Sequence, residues 1–516
     1  MDIKQNFIKS LLSGGGTFIL KALLSVLLIP LMVAHLGTEN YGFYLLLVGL
    51  SDFMMLMDTG LTTGLIQRIS HYRSVNQQEK IQEQLRIAQW LYALMVVGLI
   101  ALGLLLTPVL IHSFSLSETQ KKLAVWLFPL VVIDGAINLY GCYFQAVLKS
   151  HCIYHWNNIM ELVQSFLVNG GSVILLLMGY GLLEIMLLRL VVTMLKNIVI
   201  LNRTLQIEKH VFQWCFNISR QGVTELFSIS LFAMIQQVSV VIAHNIDNFV
   251  IAAFLTMTDV TCFGLVAKLF GYMVMFCLKL TEAVFPMFAY MEAIDRTVTR
   301  QFFIRISCFI NYAIGAPLIV ASAFYPEIIR FLGAGQIQPG QVLGVTFVFI
   351  PLTWSVALQI PASNYLFACG RHRLQTYSSL ITALCNLGLS LILIRQIGLV
   401  GVAVGTLIPH VIQHQLISIR TACQQLNISW RDYLYHVHIR NLAPLGFLAV
   451  SLAIARAMLG WYAPHLLLYA FTAIVLLMGS CVLWVALAAS EEEQKLLYKY
   501  VNKYIPSFGS RWLQYE

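Results

Sequence analysis

Long apolar runs separated by short polar gaps repeat along the whole chain. They fall near 11–35, 41–66, 87–112, 123–148, 157–179, 182–202, 223–254, 260–289, 302–324, 341–367, 375–395, 398–419, 441–459 and 466–489. A transmembrane helix needs ~20 apolar residues, and the runs meet that length. The pattern predicts an all-α polytopic membrane protein of about 14 transmembrane helices. The runs at 223–254 and 260–289 exceed the minimum, so they are expected to tilt, bend or project beyond the bilayer. The first run is longer than a signal-peptide core and lacks a small-residue cleavage site, so it is read as the first span.

Charge sharpens this picture because the gaps alternate. Of the 32 Lys and Arg residues, 22 lie in the N-terminal segment, 67–86, 149–156, 203–222, 290–305, 368–374, 420–440 and the tail from 490. The intervening gaps hold four. Cytoplasmic loops collect Lys and Arg, so both termini are expected in the cytoplasm. With 59% hydrophobic and 11% charged residues, the composition excludes a soluble globular protein. The net charge of +9 is spread over eight segments with no dense basic run, which argues against a nucleic-acid partner. The ten cysteines show no CxxC spacing and read as apolar packing residues rather than disulfides or metal ligands. His410 and His414 are one turn apart, but without a third ligand no metal site is expected.

A repeat of about 220 residues runs through the chain. Phe128-Pro129-Leu130 returns as Ile350-Pro351-Leu352, and Tyr143, Ala146 and Lys149 return as Tyr365, Ala368 and Arg371, at an offset of 222. Asn169 and Gly181 match Asn386 and Gly398 at an offset of 217, and Leu36 to Tyr44 aligns more loosely with Leu255 to Phe263. Six helices fit between repeats, so the halves keep one orientation, and parallel repeats hold substrates near the midplane at their interface. The expected organisation is two parallel six-helix lobes at 1–210 and 211–425, two additional helices at 426–490, and a cytoplasmic tail at 491–516.

Six basic residues remain inside the spans: Lys21, Arg189, Lys196, Lys268, Lys279 and Arg456. An ionisable side chain at the bilayer centre costs several kcal/mol, so such positions are functional candidates. Lys21 lies well into span one. Lys268 and Lys279 are eleven residues apart, three helical turns plus ~20°, and therefore stack on one face. The bland alternatives are that Lys21 snorkels, that Lys268 lies near the outer end of its span, and that Lys279 pairs with Glu282. Arg189, Lys196 and Arg456 lie closer to span ends, where snorkelling is expected. The intramembrane acids include Asp52, Asp58, Asp247 and Glu282, which are candidates for coupling to H⁺ or Na⁺ or for ion pairs within a cavity. Asp52 and Asp58 are ~600° apart on a continuous helix and would not share a face. Gly14 to Gly16, Pro30, Pro129, Pro351, Pro361 and Pro409 mark hinges or kinks.

Leu36-Gly37-Thr38-Glu39-Asn40-Tyr41-Gly42, followed by Asp58-Thr59-Gly60-Leu61 and Arg68, resembles the opening signature of polysaccharide transporters. Asn386 with Gly398-x-x-Gly401 is similar to the second half of that group. The chain thus resembles the Wzx-type flippases of the multidrug/oligosaccharidyl-lipid/polysaccharide exporter (MOP) superfamily, from about residue 5 to 490. The resemblance implies a transporter of the bacterial inner membrane rather than an enzyme. Its expected substrate is an undecaprenyl-diphosphate-linked oligosaccharide, for O-antigen or capsular polysaccharide synthesis. The lobes would alternate between inward-open and outward-open states. Lys21, Lys268 and Lys279 would form a cationic substrate cavity, which suits a diphosphate leaving the headgroup region. No cofactor is expected beyond a coupling H⁺ or Na⁺. Other polysaccharide-assembly membrane proteins are conceivable partners that leave no identifiable mark. The lipid II flippases of the same superfamily carry arginines in the first two spans, which this chain lacks. The rivals are a cation-coupled multidrug extruder, and a polytopic polymerase or ligase, which the sparse outer gaps disfavour.

Overall fold

The computed structural model describes residues 3–58, 60–208, 211–212, 235, 238–239, 241–242, 245–281, 284–459 and 466–487. Within these, side chains are described from residue 25 onward, except at 286, 289, 293, 294, 372, 459, 466–471 and 486–487. Every regular element among the described residues is helical. In chain order these are α1 (Ile3–Met54), α2 (Leu61–Ser74), α3 (Gln78–Ser113), α4 (Glu118–Ser150), α5 (Tyr154–Leu177) and α6 (Leu182–Ile207). A helical segment at 245–254 precedes α7 (Met257–Leu280), α8 (Val284–Ile294), α9 (Arg296–Ala323), α10 (Tyr325–Leu332), α11 (Pro339–Ala368) and α12 (His372–Val411). The chain then passes through π-helical turns at Ile412–Ile419 and Leu434–Ile439, with α13 (Arg420–Gln425) and α14 (Trp430–Tyr433) between them. It continues in α15 (Arg440–Leu459) and α16 (Leu466–Leu487).

Nine stretches among the described residues are long and apolar enough to cross a membrane, so the chain is a multi-pass membrane protein. Two long helices each hold the length of two crossings. The 52 residues of α1 rise ~78 Å at 1.5 Å each, against a hydrocarbon core of ~30 Å. Its helix breaks at Gly37 (φ 79°), between the first two predicted spans. In α12 the break falls at Ile397 and Gly398 (φ 60°), between spans eleven and twelve.

The second span differs from expectation. It is not one helix over 41–66, because α1 stops at Met54 and a tight 3-10 turn runs over Met55–Asp58. Gly60, at φ 72°, then starts α2. The cause is local: the Asp58 carboxylate accepts from Thr62 N at 3.3 Å and Thr62 Oγ1 at 3.0 Å, which satisfies the first turn of α2. Angular reasoning across Asp52 and Asp58, which assumed an unbroken helix, therefore does not apply.

The chain forms two compact units, each assembled from segments distant in sequence. Unit 1 comprises 1–269, 329–349 and 373–410. Its α4 is central, with 56% of its most apolar window buried, whereas the corresponding window of α3 is 11% buried. Exposed Leu94, Val97, Leu102 and Leu105 on α3 present an apolar surface suited to lipid. The exposed positions of α2 are of another kind: Thr63, Gln67, Ser70, His71 and Ser74 are polar and suit water. Thr63, Gln67, Ser70 and Ser74 recur at helical spacing on one face.

Unit 2 comprises 270–328, 350–372 and 411–516. There the last two described helices are joined to α9 and α11 by a closed hydrogen-bond network. Val437 O accepts from Asn311 Nδ2 at 2.6 Å and from Asn441 Nδ2 at 2.8 Å. Trp354 Nε1 donates to Asn311 Oδ1 at 2.9 Å, and Trp484 Nε1 donates to Asn441 Oδ1 at 2.8 Å. Both buried amides thus use donor and acceptor sides, which is how polar groups join helices in an apolar medium.

Candidate functional site

The most distinctive polar cluster lies in unit 1 around Asp247, which is 4% exposed. Asp247 comes from the helical segment 245–254, Asn386 and Ser390 from one turn of α12 before its break, and Val402 and Thr406 from one turn after it. The two halves of α12 approach closely because glycines line the contact. A Cβ on Gly401 would sit 2.3 Å from Leu393 O, and one on Gly405 would sit 2.6 Å from Ser390 Oγ. Small residues permit this approach between membrane helices.

Thr406 Oγ1 lies 2.8 Å from Asp247 Oδ2, 3.1 Å from Asn386 Oδ1 and 3.1 Å from Val402 O. Ser390 Oγ lies 3.0 Å from Asn386 Oδ1 and 3.4 Å from Val402 O. Each hydroxyl has one proton to donate, so two protons are shared among three acceptor oxygens. The Asn386 amide lies beside the carboxylate, and among the described residues Asp247 Oδ1 and Asn386 Nδ2 have no partner within strict hydrogen-bond geometry. The Thr406 hydroxyl donates to this carboxylate, and burying a carboxylate is costly unless it is protonated or further paired. Among the described residues, no group of three or more His, Cys, Asp or Glu is arranged to hold a metal ion.

The predicted lysines divide as follows. Lys268 and Lys279 lie on one continuous helix, α7, and both are partly exposed. Lys268 Nζ donates to Tyr41 OH at 3.1 Å and sits 5.4 Å from that ring's centroid, a cation–π contact. Lys268 belongs to unit 1 and Lys279 to unit 2. Lys21 lies within α1, but its side chain is outside the described residues, as is Glu282 altogether. Among the acids, Asp52 is exposed near the end of α1. Asp58 caps α2 and also accepts from Tyr92 OH.

Three basic residues expected to snorkel are instead paired. Arg189 Nε lies 3.3 Å from Asp134 Oδ2, and the Asp134 side chain is 1% exposed. Lys196 Nζ donates to Asn138 Oδ1 at 3.0 Å, one turn further along α4 and two turns further along α6. Arg456 Nη2 lies 3.2 Å from Glu327 Oε1. Packed helices offer partners on the neighbouring element, and a paired or hydrogen-bonded charge is less costly in the membrane than a bare one.

Sequence reasoning named Asp247 but missed Ser390 and Thr406. Asn386 and Gly401 had stood out only through repeat and resemblance. Hydroxyls within apolar runs carry no periodic signal that marks them as ligands.

The sequence matches the family described as polysaccharide biosynthesis protein over residues 3–292, more than half of the chain. The chain belongs to that family. Among solved structures, the lipid II flippase MurJ in an inward closed conformation is similar at TM-score 0.65 and 14% identity, covering 93% of this chain and 99% of that one. An inward-facing multidrug resistance MATE family transporter of the MOP superfamily matches at TM-score 0.64 and 14% identity, covering 79% and 94%. A MOP superfamily transporter from Pyrococcus furiosus matches at TM-score 0.60 and 12% identity, covering 83% and 96%. No curated protein matches the chain by sequence. These similarities show that the chain has the fold of MOP superfamily transporters.

Proposed function

We propose that this protein is a flippase for lipid-linked oligosaccharides, moving undecaprenyl-diphosphate-linked repeat units from the cytoplasmic to the periplasmic leaflet of a bacterial inner membrane. The observation that carries the reading is membership of the polysaccharide biosynthesis family over residues 3–292. Lys268 and Lys279, partly exposed on one helix, and Lys21 in α1 would supply positive partners to the diphosphate. Both termini would face the cytoplasm, as the basic comb requires. Alternating access would be coupled to H⁺ or Na⁺ bound at Asp247, Asn386, Ser390 and Thr406. The product would enter O-antigen or capsule assembly.

Deleting the gene in its host and analysing surface polysaccharide with lipid-linked intermediates tests this reading. Lost polymer with complete repeat units trapped on the cytoplasmic leaflet is the expected result. The similarity to a multidrug resistance MATE transporter favours one alternative, a cation-coupled extruder. Unchanged polymer with raised sensitivity to cationic drugs would establish that alternative instead. Within the flippase reading, Lys21→Ala or Lys279→Ala impairs transport while the protein still inserts normally. Full activity in both would remove the cationic cavity.

A further inference from the structure

Between Lys279 and Lys495 the chain carries eleven basic residues, and all are arginine. The rest of the chain has fourteen lysines and seven arginines. Topology asks for positive charge in the inner segments, and either side chain supplies it. The preference for arginine therefore has another cause. A guanidinium offers a planar fork of donors that matches phosphate oxygens two at a time, which an ammonium does not.

Three connections of unit 2 converge on one glutamine. Arg296 opens α9, Arg371 links α11 to α12, and Gln425 closes α13. Arg296 Nη2 donates to the Gln425 backbone carbonyl. With its amide turned to face the donors, the Gln425 side-chain oxygen accepts from Arg371 Nη1 at 2.8 Å and Nε at 3.1 Å. The two carbonyls of one residue thus gather two guanidinium groups.

Nearby acids neutralise the pair weakly. Glu292 Oε1 is 3.9 Å from Arg296 Nε. Asp295 caps α9, accepting from Thr297 N at 2.8 Å and Thr297 Oγ1 at 2.6 Å. Asp432 lies 4.0 Å from Arg300, not from this pair. The Arg296 side chain is 57% exposed, and Arg371 is exposed. Two like charges drawn together repel unless an anion lies between them. The basic comb assigns this end of the helices to the cytoplasmic side, where span ends meet lipid headgroups.

We propose that Arg296 and Arg371, gathered by Gln425, form a binding site for a lipid-borne phosphate group. The proposal does not depend on the flippase reading, since the phosphate can belong to a bilayer phospholipid or to a prenyl diphosphate.

The test uses the full chain purified in detergent, with headgroup-labelled phosphatidylglycerol and farnesyl diphosphate as separate probes. The variant R296K/R371K keeps charge and topology but removes both forks. It is expected to bind at least one probe about tenfold more weakly than wild type. A loss confined to phosphatidylglycerol identifies a bilayer lipid as the source, and a loss for farnesyl diphosphate identifies a prenyl diphosphate lipid. Gln425→Leu keeps the backbone carbonyl that holds Arg296 but releases Arg371, and should weaken the same probe. If both variants bind both probes as wild type does, the proposal is overturned.

Discussion

The 217-residue offset that matches Asn169 with Asn386 and Gly181 with Gly398 also carries Arg189 onto Thr406. Around the first of these positions a buried carboxylate, Asp134, meets a guanidinium 3.3 Å away. Around the second, the buried carboxylate of Asp247 meets the Thr406 hydroxyl 2.8 Å away, and among the described residues each of the two carboxylates keeps one oxygen without a partner. Among the described residues, the first register carries a covalently attached cation and the second a threonine. An unneutralised carboxylate in the membrane is costly, so in the proposed coupling Asp247 would take its proton or cation from solution. On that proposal, intramembrane charge is a strut where the counter-charge is covalently attached, and a device where the counter-charge can exchange.

The most damaging way to break the comparison is Asp247→Asn, which removes the need for a cation. Flipping measured in proteoliposomes should then lose its response to a Na⁺ or pH gradient. A variant that still responds would place coupling elsewhere. Next in size is Asp134→Ala, which strands Arg189 in the membrane. Denaturant unfolding in detergent should show a loss of about 3–5 kcal/mol, and the double change Asp134→Leu with Arg189→Met should recover most of it.

A third variant, Thr406→Arg, gives the second register the cation of the first. For wild type, the cation that binds should add about 2.7 kcal/mol of stability at a hundredfold excess over its Kd. T406R should show no such gain when thermal unfolding is followed against Na⁺ or proton concentration. Removing just the hydroxyl, Thr406→Val, should weaken the ion by about 1.5 kcal/mol, roughly tenfold in a titration.

The smallest effect sharpens the comparison outside the membrane, where Arg73 is another built-in cation. It contacts His151 at the end of α4, and burial, with Arg73 adding to it, lowers that histidine's pKa below the ordinary 6.5. The neutral imidazole is thus the form the fold prefers. The unfolded chain binds the proton more readily, so stability is full above pH 6.5 and declines as pH falls below it. His151→Gln should flatten that decline in a pH series of melting temperatures. An unaltered profile would show that another group sets it.

Much of the fold was legible because a membrane helix announces itself locally. The breaks at Gly37 and Gly398 fell in the expected gaps. The two prolines matched by the repeat, Pro129 and Pro351, both lie inside helices. The interruption at Met55–Asp58 was missed because Met55, Leu56 and Met57 are as apolar as their neighbours. Arg189, Lys196 and Arg456 were misjudged because snorkelling is argued from distance to a span end, which ignores what a neighbouring helix offers.

Run length and residue composition by themselves determined that this chain is a polytopic helical membrane protein, and the motifs at 36–42 and 58–61 pointed to its family. These properties depend on the residues of one helix and the medium around it. Which polar groups meet was decided by tertiary structure alone. Thr406 reaches Asp247 across 159 residues, and Arg189 reaches Asp134 across 55. Such meetings depend on how far each helix is turned and slid against the next. In runs apolar on every side, no periodicity records that rotation, so the two carboxylates look alike until the helices are packed.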